Sequence, residues 1–374
     1  MKTVFIDPPF SPSGDWARFG FSDIIWGYVQ HANIWNRSNT YVLSSYRTLP
    51  DFDTVQWITI PAQSMNLRNI VMQYLLYRKF AKAVMLLDPD IVLSPDYFSL
   101  AIISRFTTKP NFVLTTPGSI SERVSTFNPY DRTYTFALQW AKHRLQNISR
   151  LFVLASSQYM QQWWERDEFR HVTVIPLPVT TFPFVVKEDA RNKLLWPSSV
   201  YHLLFVGSLR QENNIVDALA LIRRLNKLSE TSKPFHLHIV GGGAGLSEVQ
   251  KAYRNGVSLT IHGQVNPRNM SVFYSAADAL VVPRRYNAVP RVALEALCCG
   301  TPIVANLNES IQGFDSVDCY ILQQDLRQLR GPIIETFLHA TERLQKHISE
   351  KARSQFDSTV VEKKIQEYFR TILY

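Results

Sequence analysis

The chain of 374 residues reads as an α/β protein of two doubly wound domains, each a parallel sheet covered by helices on both faces. Three observations predict this. Short β-rich apolar runs alternate with stretches of helical periodicity along most of the chain. The alternation restarts near residue 200, after a Pro-containing, charged stretch. Several apolar runs end in loops of Gly, Pro, Ser and Asn, the composition expected where such sheets present their ligand-binding edge. The length points the same way, because it is too great for one ordinary core.

Residues 3–6 form the first expected strand, opening into a Pro/Ser/Gly loop at 8–14 and a helical pattern over 21–34. Further strands are expected at 41–44, 55–60, 83–87, 112–115, 151–155 and 172–175, with helices between most of them. Pro183 and the charged run 187–193 read as an interdomain linker. The second half repeats the pattern: strand 203–206, helix 215–228, strand 236–240, a Gly-rich loop and a helix, then strand 258–262 and helix 270–276. Strand 279–282, a polar turn, a helix over 292–299 and strand 302–305 follow. A last stretch, 360–373, has apolar residues at helical spacing. The expected division is a first domain over 1–185, a second over 198–355 and a terminal helix over 356–374.

The net charge of +9 suggests an anionic partner: a nucleotide-sugar diphosphate, an acidic glycan, an anionic membrane surface or nucleic acid. No dense basic stripe with interleaved aromatics favours nucleic acid. Cys298, Cys299 and Cys319 form no C-x-x-C pair and have no His at ligand spacing, so they read as reduced core residues of a cytoplasmic protein rather than zinc ligands. The opening MKTVFIDPPF is far short of a signal-peptide apolar region, and no run approaches the length of a membrane span. The expected location is therefore cytoplasmic. Tyr159, Trp163 and Trp164 fall on an expected helix where adjacent tryptophans point in different directions. One of them exposed beside a basic surface would suit peripheral contact with anionic lipid, and an interdomain contact is the equal alternative.

Residues 276–304, AADALVVPRRYNAVPRVALEALCCGTPIV, carry the most specific signal. A buried strand runs into a Pro-ended polar turn and then a helix. The turn sets Asn287, Ala288, Val289 and Glu295 at the carboxyl end of a strand, where doubly wound proteins bind ligands. The segment resembles the donor-sugar signature of GT-B glycosyltransferases. The closest pattern is that of the large retaining glycosyltransferase family 4, or glycosyl transferases group 1, often P-S-x-Y-E-G-x-P-x-V-x-L-E-A. The matching residues are Pro283, Tyr286, Asn287, Pro290, Val292, Leu294, Glu295 and Ala296; the first acid of the pattern is Asn287 here.

The resemblance implies two Rossmann-like domains with parallel sheets facing a central cleft, and a terminal helix packing back on the first domain. It implies transfer of a hexose from a UDP- or GDP-linked sugar to a hydroxyl of a glycan, lipid-linked glycan or small metabolite, as in polysaccharide biosynthesis. The reaction would be retaining and metal-independent, with no cofactor beyond the donor substrate. In that reading Glu295 accepts hydrogen bonds from the ribose, where a helix-dipole role is the plainer alternative. Asn287 meets the sugar, Gly207, Ser208 and Arg210 meet the phosphates, and Arg285, Ala288, Val289 and Pro290 complete the donor turn. Gly263 and Val265 fall on the turn whose backbone reads the base. Asn287 and Arg210 are the expected catalytic residues.

The loop FVGSLRQENNIVDAL departs from the family's F-V-G-R-L and following Lys, since Ser208 and Asn213 replace the two cations that usually meet the diphosphate. Arg210, Arg284, Arg285 and Arg291 are the candidates to compensate, since arginine binds phosphate bidentately. In the first domain, Ser13, Gly14 and Asp15 would approach acceptor or phosphates, or form an ordinary turn. Gly118 falls where the family often has a His. The glycines of 241–245 lack the G-x-G-x-x-G spacing of a dinucleotide site and read as structural. Two other readings stay open: a non-catalytic GT-B module, favoured by the three lost side chains, and metal binding by Asp88 and Asp90, a D-x-D of the other glycosyltransferase fold.

Overall fold

The computed structural model describes residues 1–7, 39–45, 56–60, 70–115, 132–179, 182–209, 213–228, 230–283, 290–307, 317 and 320–373. They form two compact units, Met1–Pro178 with Ser358–Tyr374, and Val179–Asp357.

The first unit is built on β1 (Thr3–Asp7), β2 (Thr40–Ser44), β3 (Gln56–Thr59), β4 (Ile91–Ser94), β5 (Asn111–Leu114), β6 (Leu151–Ala155) and β7 (Val172–Val174). They pair in parallel in the order β3-β2-β1-β4-β5-β6-β7. The central strands are continuous apolar runs because both faces are covered. Val4 and Ile6 point one way, into a core with α1 (Ile70–Leu87), α2 (Tyr97–Ile103), α3 (Arg132–Gln146) and α4 (Gln158–Arg166). Phe5 points the other way, with Val42, Leu93 and Val113, and meets Val361, Ile365 and Phe369 of α12 (Ser358–Leu373). Two helices start on side-chain caps: Asp96 accepts from the backbone N–H of Ser99 at 2.8 Å, and Ser157 from that of Met160 at 3.3 Å.

The expected strand at 83–87 is instead the last part of the 18-residue helix α1. The apolar run AVMLL looks β-like in isolation, but it continues the helical period of Leu76, Tyr77, Phe80, Ala81 and Val84, all buried, and turns Met85 and Leu86 to solvent. Asp88, in the left-handed region at φ 46°, ends the helix, and the true strand follows at Ile91.

The second unit is built on β8 (Tyr201–Val206), β9 (Phe235–Val240), β10 (Leu259–Gly263), β11 (Ala279–Val282), β12 (Ile303–Ala305) and β13 (Ile321–Gln323), parallel in the order β10-β9-β8-β11-β12-β13. Its helices are α5 (Lys187–Leu194), α6 (Ile215–Leu228), α7 (Leu246–Arg254), α8 (Met270–Ala276), α9 (Arg291–Cys298), α10 (Gly331–Thr341) and α11 (Gln345–Phe356). The chain winds outward from β8 through β9 and β10, then crosses to β11 on the other side. This reversal opens a crevice at the carboxyl ends of β8 and β11.

The charged run read as a linker is α5, a helix packed within this unit against α8. Lys187 and Arg191, one turn apart, both reach the buried Asp278, at 3.3 and 2.6 Å. Burial alone would raise the Asp278 carboxyl, but the two cations outweigh it and hold its pKa below the ordinary value. The helical segment 187–194 therefore belongs with the second unit, ahead of the expected start at 198.

Candidate functional site

The site is assembled from loops at the carboxyl edge of the second sheet. Gly207 follows β8 and its N–H donates to the carbonyl of Val240 at 3.0 Å. The next loop lies directly on it: a Cβ built on Gly241, at φ 128°, would stand 2.0 Å from the Gly207 oxygen. Only glycine fits there. Leu209 N–H donates to Gly242 O at 2.9 Å and Gly245 N–H to Leu209 O at 2.6 Å, so the two loops are joined edge to edge by backbone bonds. The glycines of 241–245 thus serve loop packing.

Ser208 and Asn213, the two neutral replacements, are brought together. The Asn213 amide donates to the Ser208 carbonyl at 2.7 Å and contacts its hydroxyl at 2.9 Å. Beneath them Asp217, fully buried on α6, is a hub that sequence reasoning did not single out. Its carboxylate accepts from Asn214 at 2.5 Å, from Asn306 at 3.1 Å and from the guanidinium of Arg327 at 2.7 Å. Asn214 and Asn306 also donate to the carbonyl of Pro283, at 3.1 and 3.3 Å. Pro283 is where β11 gives way to the signature turn, so this network holds the root of that turn.

Across the turn, Pro290 stands at the N-cap position of α9 and its carbonyl accepts from the N–H of Ala293 at 2.9 Å. Glu295 follows one turn into the helix. The Tyr274 hydroxyl donates to one carboxylate oxygen at 2.7 Å, and Arg291 pairs with the other at 3.2 Å. Tyr274 is fully buried on α8; burial, and then the Glu295 charge, push its pKa well above the ordinary phenol. The phenol is therefore a permanent donor that fixes the Glu295 carboxylate. Arg291, a candidate phosphate ligand, meets Glu295 through its Nε.

At the end of β10, Gly263 takes φ 67° and its carbonyl accepts from Gly241 N–H at 2.7 Å, tying the expected base-reading turn to the same loop pair. Val265 follows, half-buried. The structure thus brings together the neighbourhoods of Gly207, Ser208, Gly263, Pro290 and Glu295 on one sheet edge. Arg210, Arg284, Arg285, Asn287, Ala288 and Val289 lie outside the described residues, as do Ser13, Gly14, Asp15 and Gly118.

Asp88 and Asp90 sit at the amino end of β4. Asp88 is ion-paired with Lys109, and Asp90 accepts from the Lys2 N–H at 2.7 Å. This is the opposite edge from the one where such sheets bind ligands. Trp164 is fully buried against Tyr97 and Phe169, while Trp163 is half-buried beside Tyr159 with Arg166 over its ring. Neither tryptophan is the exposed anchor considered for membrane contact. Cys298 and Cys299 are free and buried; burial pushes the Cys298 thiol up to about 12 and the Cys299 thiol higher. In the first unit the buried Asp7, which the sequence did not flag, ends β1. Its carboxyl is raised to about 7 by burial, offset in part by a 2.8 Å bond from Ser44.

Residues 186–312 match the family model of glycosyl transferases group 1. Over 154 residues the chain is 30% identical to a D-inositol 3-phosphate glycosyltransferase of Arthrobacter sp. (strain FB24), covering 37% of this chain and 34% of that protein. It is 25% identical over 242 residues to the putative teichuronic acid biosynthesis glycosyltransferase TuaC of Bacillus subtilis (strain 168), covering 61% of this chain and 57% of that one. The chain thus spans about a third of the length of the first of these relatives and little more than half of the other. Among solved structures, a sucrose-phosphate synthase from Thermosynechococcus elongatus superposes with a TM-score of 0.78 at 19% identity, over 100% of this chain and 99% of that one. HepE of Anabaena, in complex with UDP and glucose, gives 0.70 at 17%, over 99% and 100%. The chain has the GT-B fold, and its residues 186–312 are similar to the glycosyl transferases group 1 domain.

Proposed function

We propose that the protein is a glycosyltransferase that moves a hexose from a nucleotide diphosphate sugar to a hydroxyl acceptor, with the donor held on the carboxyl edge of the second sheet. One observation carries this reading: Glu295, one turn into α9 and beside the crevice, has its carboxylate oriented by Tyr274 and Arg291. A carboxylate held that way suits a ribose diol, which offers two hydroxyl donors. UDP is the favoured nucleotide, since the HepE structures hold UDP and UDP-glucose.

With Ser208 and Asn213 neutral and bonded to each other, charge neutralisation of the diphosphate is assigned to Arg210, Arg284 and Arg285, with Asn287 on the sugar. Retention of configuration and independence from metal are part of the proposal, supported by the family match. The position of Asp88 and Asp90 on the far edge supports the second of these. The acceptor is a glycan, lipid-linked glycan or small metabolite approaching the carboxyl edge of the first sheet. The proposed location is the cytoplasm, with peripheral contact through α1, whose outer side exposes Val71, Leu75, Met85 and Leu86 among Arg78, Lys79 and Lys82. Among the described residues no helix is long and apolar enough to cross a membrane.

Calorimetric titration with UDP, GDP and their sugar conjugates, repeated with Glu295→Ala, tests the donor site. Hydrogen bonds to a charged group contribute about 1.5–3 kcal/mol, so the variant should lose about tenfold or more in affinity. No binding of any nucleotide would overturn the reading. The neutral Ser208–Asn213 pair favours one alternative, a module that binds nucleotide sugar without turning it over. Tight binding with no hydrolysis or transfer across an acceptor panel would establish that instead. Activity abolished by a chelator and restored by a divalent cation would refute metal independence.

A further inference from the structure

Four histidines of the second unit share one face of three adjacent strands: His202 on β8, His236 and His238 on β9, and His262 on β10. Three of them are hydrogen-bonded in line. His202 Nε2 lies 2.8 Å from the carbonyl of Pro197, His202 Nδ1 lies 3.0 Å from His238 Nε2, and His238 Nδ1 lies 3.0 Å from His262 Nε2. Trp196 stacks on His238 at 3.5 Å and 14°, and on His202 at 4.9 Å, while the edge of Phe273 meets His262 at 5.0 Å. His236 stands aside, bonded to Ser258 and Thr260.

The direction of every bond in this ladder follows from one atom. A carbonyl only accepts, so His202 Nε2 carries the proton; in a neutral imidazole the other nitrogen then accepts. His238 must therefore donate from Nε2 and accept at Nδ1, and His262 must do the same. Burial keeps the ladder neutral: it lowers all three pKa values, and His238, also surrounded by the other imidazoles, falls to about 2. The result is an unprotonated Nδ1 on His262. This residue is half-buried, is the last side chain before Gly263, and has no protein partner on that nitrogen among the described residues.

We propose that His262 determines base specificity in the donor site, its Nδ1 accepting a hydrogen bond from the imide N–H of the nucleobase, with the Pro197–His202–His238 ladder holding that nitrogen as an acceptor. This rests on the donor reading above and on the expectation, implied by the family resemblance, that the base lies at the turn of Gly263 and Val265. Uracil and guanine present a ring N–H on their pairing edge. Cytosine and adenine present a bare ring nitrogen there, which would face a second acceptor and leave both unpaired.

The test compares the affinities of UDP, CDP and N3-methyl-UDP for the unaltered protein and for His262→Phe. The unaltered protein should prefer UDP over both others by about tenfold or more. The variant should bind all three alike, because the ribose and phosphate contacts remain. A variant that keeps the preference, or an unaltered protein without one, overturns the role of His262. Absence of all nucleotide binding overturns the donor reading itself, and this inference with it. Because His262 packs against Phe273, nitrogen NMR of the unaltered protein supplies a readout independent of any variant's folding. His202, His238 and His262 should all carry their proton on Nε2, and a proton on Nδ1 of His262 at neutral pH would overturn the ladder.

Discussion

Tyr274 and Asp217 hold the candidate site without being expected to touch a substrate. Tyr274→Phe removes the donor that fixes Glu295, and we expect weaker nucleotide binding with a stability loss of about 1.5–3 kcal/mol, read by titration and by denaturant unfolding. Unchanged affinity would show that Arg291 alone orients the carboxylate. Asp217→Ala strips Asn214, Asn306 and Arg327 of a shared acceptor. Leaving buried amides unsatisfied should cost about 2–3 kcal/mol, seen as a lower denaturation midpoint with unchanged slope. Glu295 was legible in the sequence because it sits in a contiguous motif. Tyr274 was not: it lies 21 residues earlier on another helix and meets Glu295 only once both helices pack. Asn306 is further from Asp217 in sequence, and nothing local marks either as a partner of the other.

At the scale of elements, most strands and helices of the second unit fall where periodicity places them, and the expected helices at 215–228 and 270–276 coincide with α6 and α8. Periodicity failed where a short window met a longer context. The run at 83–87 is indistinguishable from a strand until the buried positions upstream are counted. The run at 187–193 looks solvated until Asp278, far along the chain, draws in Lys187 and Arg191. The outer side of α1 carries the membrane prediction. Sedimentation with vesicles rich in phosphatidylglycerol should capture the protein at low salt and release it at high salt. Lys79→Glu with Lys82→Glu should abolish capture, since each basic residue near such a surface contributes about 1 kcal/mol. Equal binding to neutral vesicles would refute an electrostatic contact.

For the whole molecule, the two units should answer acid in opposite ways. Asp7 is raised from 3.8 to about 7, so its contribution to the first unit is complete below pH 3.8 and is lost as pH rises toward 7. His202, His236, His238 and His262 are all lowered from 6.5, so their contribution to the second unit is complete above pH 6.5 and is lost as pH falls. Calorimetric scans from pH 7 to pH 4, with the melting unit identified by proteolysis, should show the second unit's transition falling relative to the first's. A parallel drift of both would contradict this. The placement of α12 has a consequence for synthesis. The strands of the first unit are complete at Val174, but among the described residues the helix that covers Phe5, Val42, Leu93 and Val113 on one face, through Val361, Ile365 and Phe369, is the last to leave the ribosome. The second unit is contiguous in the chain, so it can finish folding while the first still waits. A nascent chain halted before Ser358 would lack the apolar cover that α12 gives this face, and exposed apolar surface of that kind is what chaperones bind and what aggregates in their absence.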